Sequence, residues 1–148
     1  MKAKKVYEMI DPYASEDVDM DLDVSYKNKI LRKGIEEWFS KWVPDAEYDI
    51  DKDLNIETKG SMSLFPEIID KLPDNLTVNG YLDLTYSQIY TLPRNLTVKT
   101  NLFLQKSKIR HLPSTLKVYR NLDISNTKII INDIPKTVFV GGKIINYK

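Results

Sequence analysis

The chain has no cysteine and a single histidine in 148 residues. Without cysteine there are no disulfides, no thiol nucleophile and no zinc site of the cysteine type. With His111 as the one imidazole, His–His metal clusters and two-histidine mechanisms are excluded. No apolar run approaches the ~18–20 residues that span a bilayer. An excess of one charge is also lacking: 22 Lys and Arg face 21 Asp and Glu, net +1. No global field therefore steers the protein toward nucleic acid or a membrane. Lys2, Lys4 and Lys5 open the chain, but Val6-Tyr7-Glu8-Met9-Ile10-Asp11 is no secretory apolar region, so a cytosolic protein is expected.

What is present suits a globular core. Apolar residues make up 42% and charged ones 29%, over the length of one domain or one domain plus an appendage. The charge is uneven. Residues 1–60 hold ten basic and fifteen acidic side chains; residues 61–148 hold twelve basic and six acidic. Between Arg94 and Lys128, eight Lys and Arg stand against the single acid Asp123.

An internal repeat decides the fold. Three segments align without gaps at a period of 20: LPDNLTVNGYLDLTYSQIYT from Leu72, LPRNLTVKTNLFLQKSKIRH from Leu92, and LPSTLKVYRNLDISNTKIII from Leu112. With the leucine of Leu-Pro as position 1, positions 1, 5, 7, 11, 13 and 18 are apolar in all three. Upstream, Ile56, Met62, Leu64 and Ile69 keep the frame; downstream, Ile134-Pro135 restarts it after a two-residue insertion, followed by Val138, Val140 and Ile144. The expected coils are 52–71, 72–91, 92–111, 112–133 and 134–148: three full ones between two degenerate ends. Alternation at 5/7 and 11/13 puts side chains on one face of a strand. The six apolar columns then stack inward on their neighbours. A lone coil cannot fold, because its few buried side chains do not offset the entropy of ordering its backbone; stacking must. Gly80 and Gly142 at position 9 suit a corner, which Thr100 and Arg120 show does not demand glycine.

Ahead of the repeat, Ile30, Leu31, Gly34, Ile35, Trp38, Phe39 and Trp42 recur at helical spacing. Ser25 is the expected N-cap and Pro44 follows the end. Residues 25–51 are thus expected to form a helical cap on the solenoid 52–148. Gly34 implies close packing there, since glycine costs ~1 kcal/mol in a helix interior. Residues 1–24 form an acidic segment, either mobile or an added edge strand, because Val18-Asp19-Met20-Asp21-Leu22-Asp23-Val24 alternates strictly. Asp19, Asp21 and Asp23 do not make a calcium loop: the sixth residue is Val24 and the twelfth Ile30. No metal and no cofactor is expected.

The pattern L-P-x-x-L-x-V-x-x-x-L-x-L-x-x-[ST]-x-I resembles the leucine-rich-repeat-like solenoids of tailed bacteriophages and prophages, an α/β repeat fold. Glu37-Trp38-Phe39, Tyr48-Asp49-Ile50 and Asp53-Leu54-Asn55-Ile56 look like the helix-plus-first-strand cap of those proteins. The resemblance covers about residues 30–148. It implies a β-solenoid with an N-terminal helical cap, a bacterial host cytoplasm and a host or phage protein as partner, and it is nearly silent on activity. In that family the strand after the corner lines a concave surface. The chain departs from the pattern by lacking an asparagine ladder; Ser87, Ser107 and Thr127 at position 16 are expected to satisfy the turn backbone instead.

Positions 10, 12, 14 and 15 would line one continuous outward face. Its expected anchors are Phe103, Tyr81 and Tyr86, with Asp83, Gln105, Lys106, Asp123 and Asn126 around them. Asp83 and Asp123 share a column with Phe103 between them, an arrangement that offers no substrate cleft, so no enzyme is expected. His111 falls at a corner without a partner. A second reading takes Arg94, Lys99, Lys106, Lys108, Arg110, Lys117, Arg120 and Lys128 as a nucleic-acid or acidic-partner surface. Their scatter around the coil argues against a single phosphate-tracking groove. A third takes Ile144 and Ile145 as an oligomer interface at the last coil.

Overall fold

The computed structural model describes the backbone of residues 16–148, and side chains from Asp23 onward. The expectations for residues 1–15 lie outside the described residues. The chain divides into two compact units, residues 1–34 and 35–148.

One helix, α1, runs Glu16–Trp42. Ser25 therefore lies inside the helix and is not its N-cap, and residues 18–24 are helical, not the edge strand that was one of the two expectations for them. One physical reason favours this. The edge-strand place is filled by β1 (Tyr48–Ile50), which pairs antiparallel with β2 (Ile56–Thr58). In the first unit, Lys27 and Asp23 pair across one helical turn at 3.2 Å. Val24, Tyr26, Ile30 and Leu31 are exposed. The close packing expected at Gly34 is not there: a Cβ at that position would meet nothing within 4 Å.

In the second unit the end of the helix forms the cap. Phe39 is fully buried and stacks on Tyr48 at 3.9 Å between ring centroids. Trp38 meets Phe39 edge-on and donates its indole N–H to the Lys71 carbonyl at 2.9 Å. Ile35, Trp42 and Val43 complete the apolar plug. Burial, with the Glu36 charge added to it, pushes the Tyr48 phenol above the usual tyrosine range. Beside it, Asp49 accepts from Lys59 at 3.0 Å and raises that ammonium's pKa.

Residues 56–148 form a β-solenoid of about four turns. The first wall continues from β2 through β4 (Leu76–Val78), β6 (Thr97–Val98), β8 (Lys117–Val118) and β10 (Phe139–Val140). The second holds β3 (Met62–Ser63), β5 (Leu82–Asp83), β7 (Leu102–Phe103), β9 (Leu122–Asp123) and β11 (Ile144–Ile145). All the pairings between coils are parallel, and the 20-residue frame is kept as the register: Leu82 faces Leu102, which faces Leu122. A third wall, positions 16–20, carries no strand; in the three full coils positions 16 and 18 are buried and positions 17 and 19 are not. Gln88 N–H donates to the Ile69 carbonyl of the preceding coil at 2.9 Å. The two-residue insertion is taken up by a 3₁₀ turn, Ile131–Asp133.

The six apolar columns of the three full segments are buried, from Leu72, Leu92 and Leu112 to Ile89, Ile109 and Ile129. The corners are polar and laddered. At position 4, Asn75 and Asn95 take left-handed φ of 61° and 59°, a conformation asparagine tolerates. Asn95 Nδ2 donates to Asn75 Oδ1 at 2.8 Å. At position 10, Asn101 Oδ1 accepts from Asn121 N–H, and Asn121 Oδ1 from Lys143 N–H, both at 2.9 Å. Asparagines do therefore link coils, at columns other than the turn serines. Those serines do not do the work expected of them. Ser87 and Ser107 are buried with their hydroxyls unpartnered. Only Thr127 bonds, donating to the Ile124 carbonyl at 2.7 Å. The turn N–H groups are already satisfied: Ser87 and Ser107 donate to the Leu84 and Leu104 carbonyls. Position 9 is a glycine where its neighbour demands it. A Cβ at Gly80 would collide with Ser61 of the coil before.

Candidate binding faces of the solenoid

The second wall brings together the residues singled out from the sequence. Asp83, Phe103 and Asp123 stand in register on β5, β7 and β9. Tyr81 meets Phe103 edge-on, with ring centroids 6.1 Å apart and planes at 69°. Tyr81 is exposed and Phe103 half-buried, so the pair is a rigid apolar surface open to solvent. The two aspartates have structural work as well. Asp83 Oδ1 accepts from Thr85 N–H at 3.0 Å and from Thr85 Oγ1 at 2.6 Å. Asp123 Oδ1 accepts from Ser125 N–H at 3.0 Å. Each carboxylate thus caps the turn that follows its strand, which is why aspartate recurs there. Gln105 lies within 3.4 Å of the Thr85 hydroxyl.

That turn carries a feature the repeat alignment does not show. Tyr86, Lys106 and Asn126 all have left-handed backbone, with φ of 65°, 59° and 59°. Asparagine is at ease there. Tyrosine and lysine are not, because a Cβ in that region crowds the following carbonyl at a cost of ~1–2 kcal/mol. The turn's outer edge is nevertheless built from them. Lys106 Nζ donates to Tyr86 Oη at 2.9 Å. Phe65, one coil earlier, lies 5.9 Å from the Tyr86 ring. Phe65, Tyr86 and Lys106 make one row along the crest, bordering the Tyr81–Phe103 pair. Phe65 is not legible from the repeat, because its degenerate coil lacks the Leu-Pro start and keeps only apolar columns of the frame. It occupies position 14 of the same frame.

The eight cations of the basic segment separate into groups. Arg94 is bound to Asp74 by three contacts, its backbone N–H at 3.0 Å, Nε at 3.3 Å and Nη2 at 2.9 Å. The two line an open groove of about 380 Å³ with Asp70 and Lys71. Lys99 lies 4.7 Å from the Tyr119 ring centroid. Lys117 is on the first wall and Arg120 at the corner after it. Lys106, Lys108, Arg110 and Lys128 are not scattered as expected. They stand at positions 15, 17 and 19, and the residues between them, Ser107, Ile109, Thr127 and Ile129, are buried. Lys108, Arg110 and Lys128, outward between buried neighbours, share the third wall, with Lys106 at the turn that forms its edge. The sequence reading missed this because positions 16–20 carry only one invariant apolar column.

His111 is exposed at the end of the third wall. Ile144 is exposed and Ile145 half-buried on β11, the last strand of the second wall. Among the described residues no cluster of three or more His, Asp or Glu could hold a metal ion, and no helix is long and apolar enough to cross a membrane. No protein-family model, curated protein or solved structure matches the chain.

Proposed function

We propose that the chain is a non-enzymatic protein-binding module of the leucine-rich-repeat-like kind. In this reading it is phage-encoded and acts in the bacterial cytoplasm, where it modulates or inhibits a host protein, such as a defence protein. The repeat pattern and its resemblance to phage solenoids support the family and the setting. One observation carries the binding role: the exposed Phe65–Tyr86–Lys106 crest beside the Tyr81–Phe103 pair. Aromatic side chains held rigid by their neighbours bury large apolar area with little loss of entropy, which is what interface anchors require. Gln105, Asn126 and the outer edges of Asp83 and Asp123 form the polar rim.

The test is capture from bacterial lysate on immobilised protein, with and without nuclease, read by mass spectrometry. A protein retained after nuclease, and lost on both Phe103→Ala and Tyr86→Ala, is the expected result. Retention unchanged in both variants, with the fold intact, would show that this face is not the interface. Recovery of the bait alone, from every bacterial lysate tried, would turn the assignment toward self-assembly.

A further inference from the structure

We infer that the third wall, which meets the crest at Tyr86 and Lys106, is a docking face for single-stranded nucleic acid. Three rows of the solenoid meet on it. Tyr86, Gln88 and Tyr90 stand at positions 15, 17 and 19 of one coil, and Lys106, Lys108 and Arg110 at the same positions of the next. Lys128 follows in the central column one coil on. Gln88 N–H donates to the Ile69 carbonyl of the coil before, and the buried Ser107, Ile109, Thr127 and Ile129 tie the next two rows to the core.

Among the described residues Lys108, Arg110 and Lys128 take part in no ion pair, in contrast to Arg94, which Asp74 neutralises. The only acid between Arg94 and Lys128 is Asp123, and it lies on the second wall, capping a turn. Alternate residues on an extended segment are ~6.6 Å apart and neighbouring coils ~4.8 Å apart. Four cations therefore fall within a strip about 13 Å long. That is a length that two or three consecutive phosphates of an unpaired strand can follow.

Tyr90 is 56% exposed, beside this strip. Unlike Tyr86, which is engaged by Phe65 and Lys106, its ring has no aromatic or cationic neighbour among the described residues. A cationic track with an exposed aromatic ring alongside is the chemistry that holds single strands: phosphates on the cations, a base on the ring. An acidic peptide would satisfy the cations but leave the tyrosine without a stacking partner. A duplex would keep its bases stacked on each other and out of reach of the ring. Cations that meet phosphates and a ring that stacks on any base do not tell one base from another, so the binding is sequence-tolerant.

Fluorescence anisotropy with a short labelled oligothymidylate tests this directly. Three phosphate contacts on a single strand give a log–log salt slope near −2.1, a loss of roughly 20-fold between 50 and 200 mM salt. The double variant Lys108→Glu, Arg110→Glu should abolish binding. Tyr90→Ala should weaken it roughly tenfold, and Tyr90→Trp should restore it. Phe103→Ala, on the other wall, should leave it unchanged. All four positions are exposed or half-buried, and a melting temperature close to that of the parent shows that each variant folds. Absence of binding at low salt overturns the inference. So does equal affinity for duplex of the same length with no effect of Tyr90→Ala. Preferential binding of polyglutamate over the oligonucleotide would assign the wall to an acidic protein instead.

Discussion

Lys106 Nζ donates to Tyr86 Oη across adjacent coils at 2.9 Å, and both residues hold left-handed backbone. A ladder of turns that asparagine would close without strain is here closed by two large side chains. Their contact is exposed, so the bond itself adds little to stability. The arrangement makes sense as a surface for something else.

Lys106→Gly is therefore expected to stabilise the fold by about 0.5–1 kcal/mol, because glycine adopts the left-handed region without the Cβ conflict. The same change should weaken partner capture. Urea denaturation measures the first effect, and the pull-down the second. A destabilised Lys106→Gly would show that the lysine supports the turn, and that the strain argument is wrong.

Ser87 and Ser107 bury hydroxyls without partners. An unsatisfied buried hydroxyl costs about 1–3 kcal/mol, whereas a methyl group in the same space costs nothing of that kind. Ser87→Ala and Ser107→Ala should each be neutral or stabilising. Thr127→Ala should destabilise by about 1 kcal/mol, because its hydroxyl bonds the Ile124 carbonyl. Chemical denaturation of the three variants would order them, and a reversed order would count against the assigned hydrogen bonds.

Gly34 sits in α1 with open space around it. Gly34→Ala should add about 1 kcal/mol of helix propensity without a steric conflict. Helicity by circular dichroism and the melting temperature are both expected to rise. A fall in either would mean that the glycine is needed for a contact or a bend at that point.

Leu104 and Phe103 are adjacent and face opposite ways. Leu104 is fully buried in column 13, so Leu104→Ala should cost about 2–5 kcal/mol through lost burial and the cavity left behind. Phe103→Ala should cost much less and act on binding. If calorimetry showed similar losses for the two, the inward and outward faces of β7 would be misassigned.

The raised pKa of Tyr48 has a sign that can be checked. Burial beside Phe39 favours the neutral phenol, so the unfolded chain ionises first, near pH 10. The contribution is fully present below that pH and is lost as pH rises through the folded-state value. Stability should fall on the alkaline side, and Tyr48→Phe should flatten that fall. Denaturation midpoints between about pH 8 and 11 make the comparison; parallel curves for the two proteins would remove Tyr48 as the source.

The repeat, its 20-residue register and the six inward columns follow from the residue pattern alone. A period that places leucine on leucine leaves one way to bury them, and Leu82, Leu102 and Leu122 do stack so. It also marked Phe103 and Tyr81 as outward, because strand alternation is a local property. What it left undecided depended on neighbours twenty residues away. The tie of Asn95 to Asn75, the left-handed turns at Tyr86 and Lys106, and the shared wall of Lys106, Lys108, Arg110 and Lys128 all arise from coils lying against one another. The alternation of residues 18–24 was a local signal that did not prevail. A strand is stable only with a partner, and β1 takes the edge beside β2. Local pattern decided which residues are buried; tertiary stacking decided which exposed ones stand together, and hence where binding can occur.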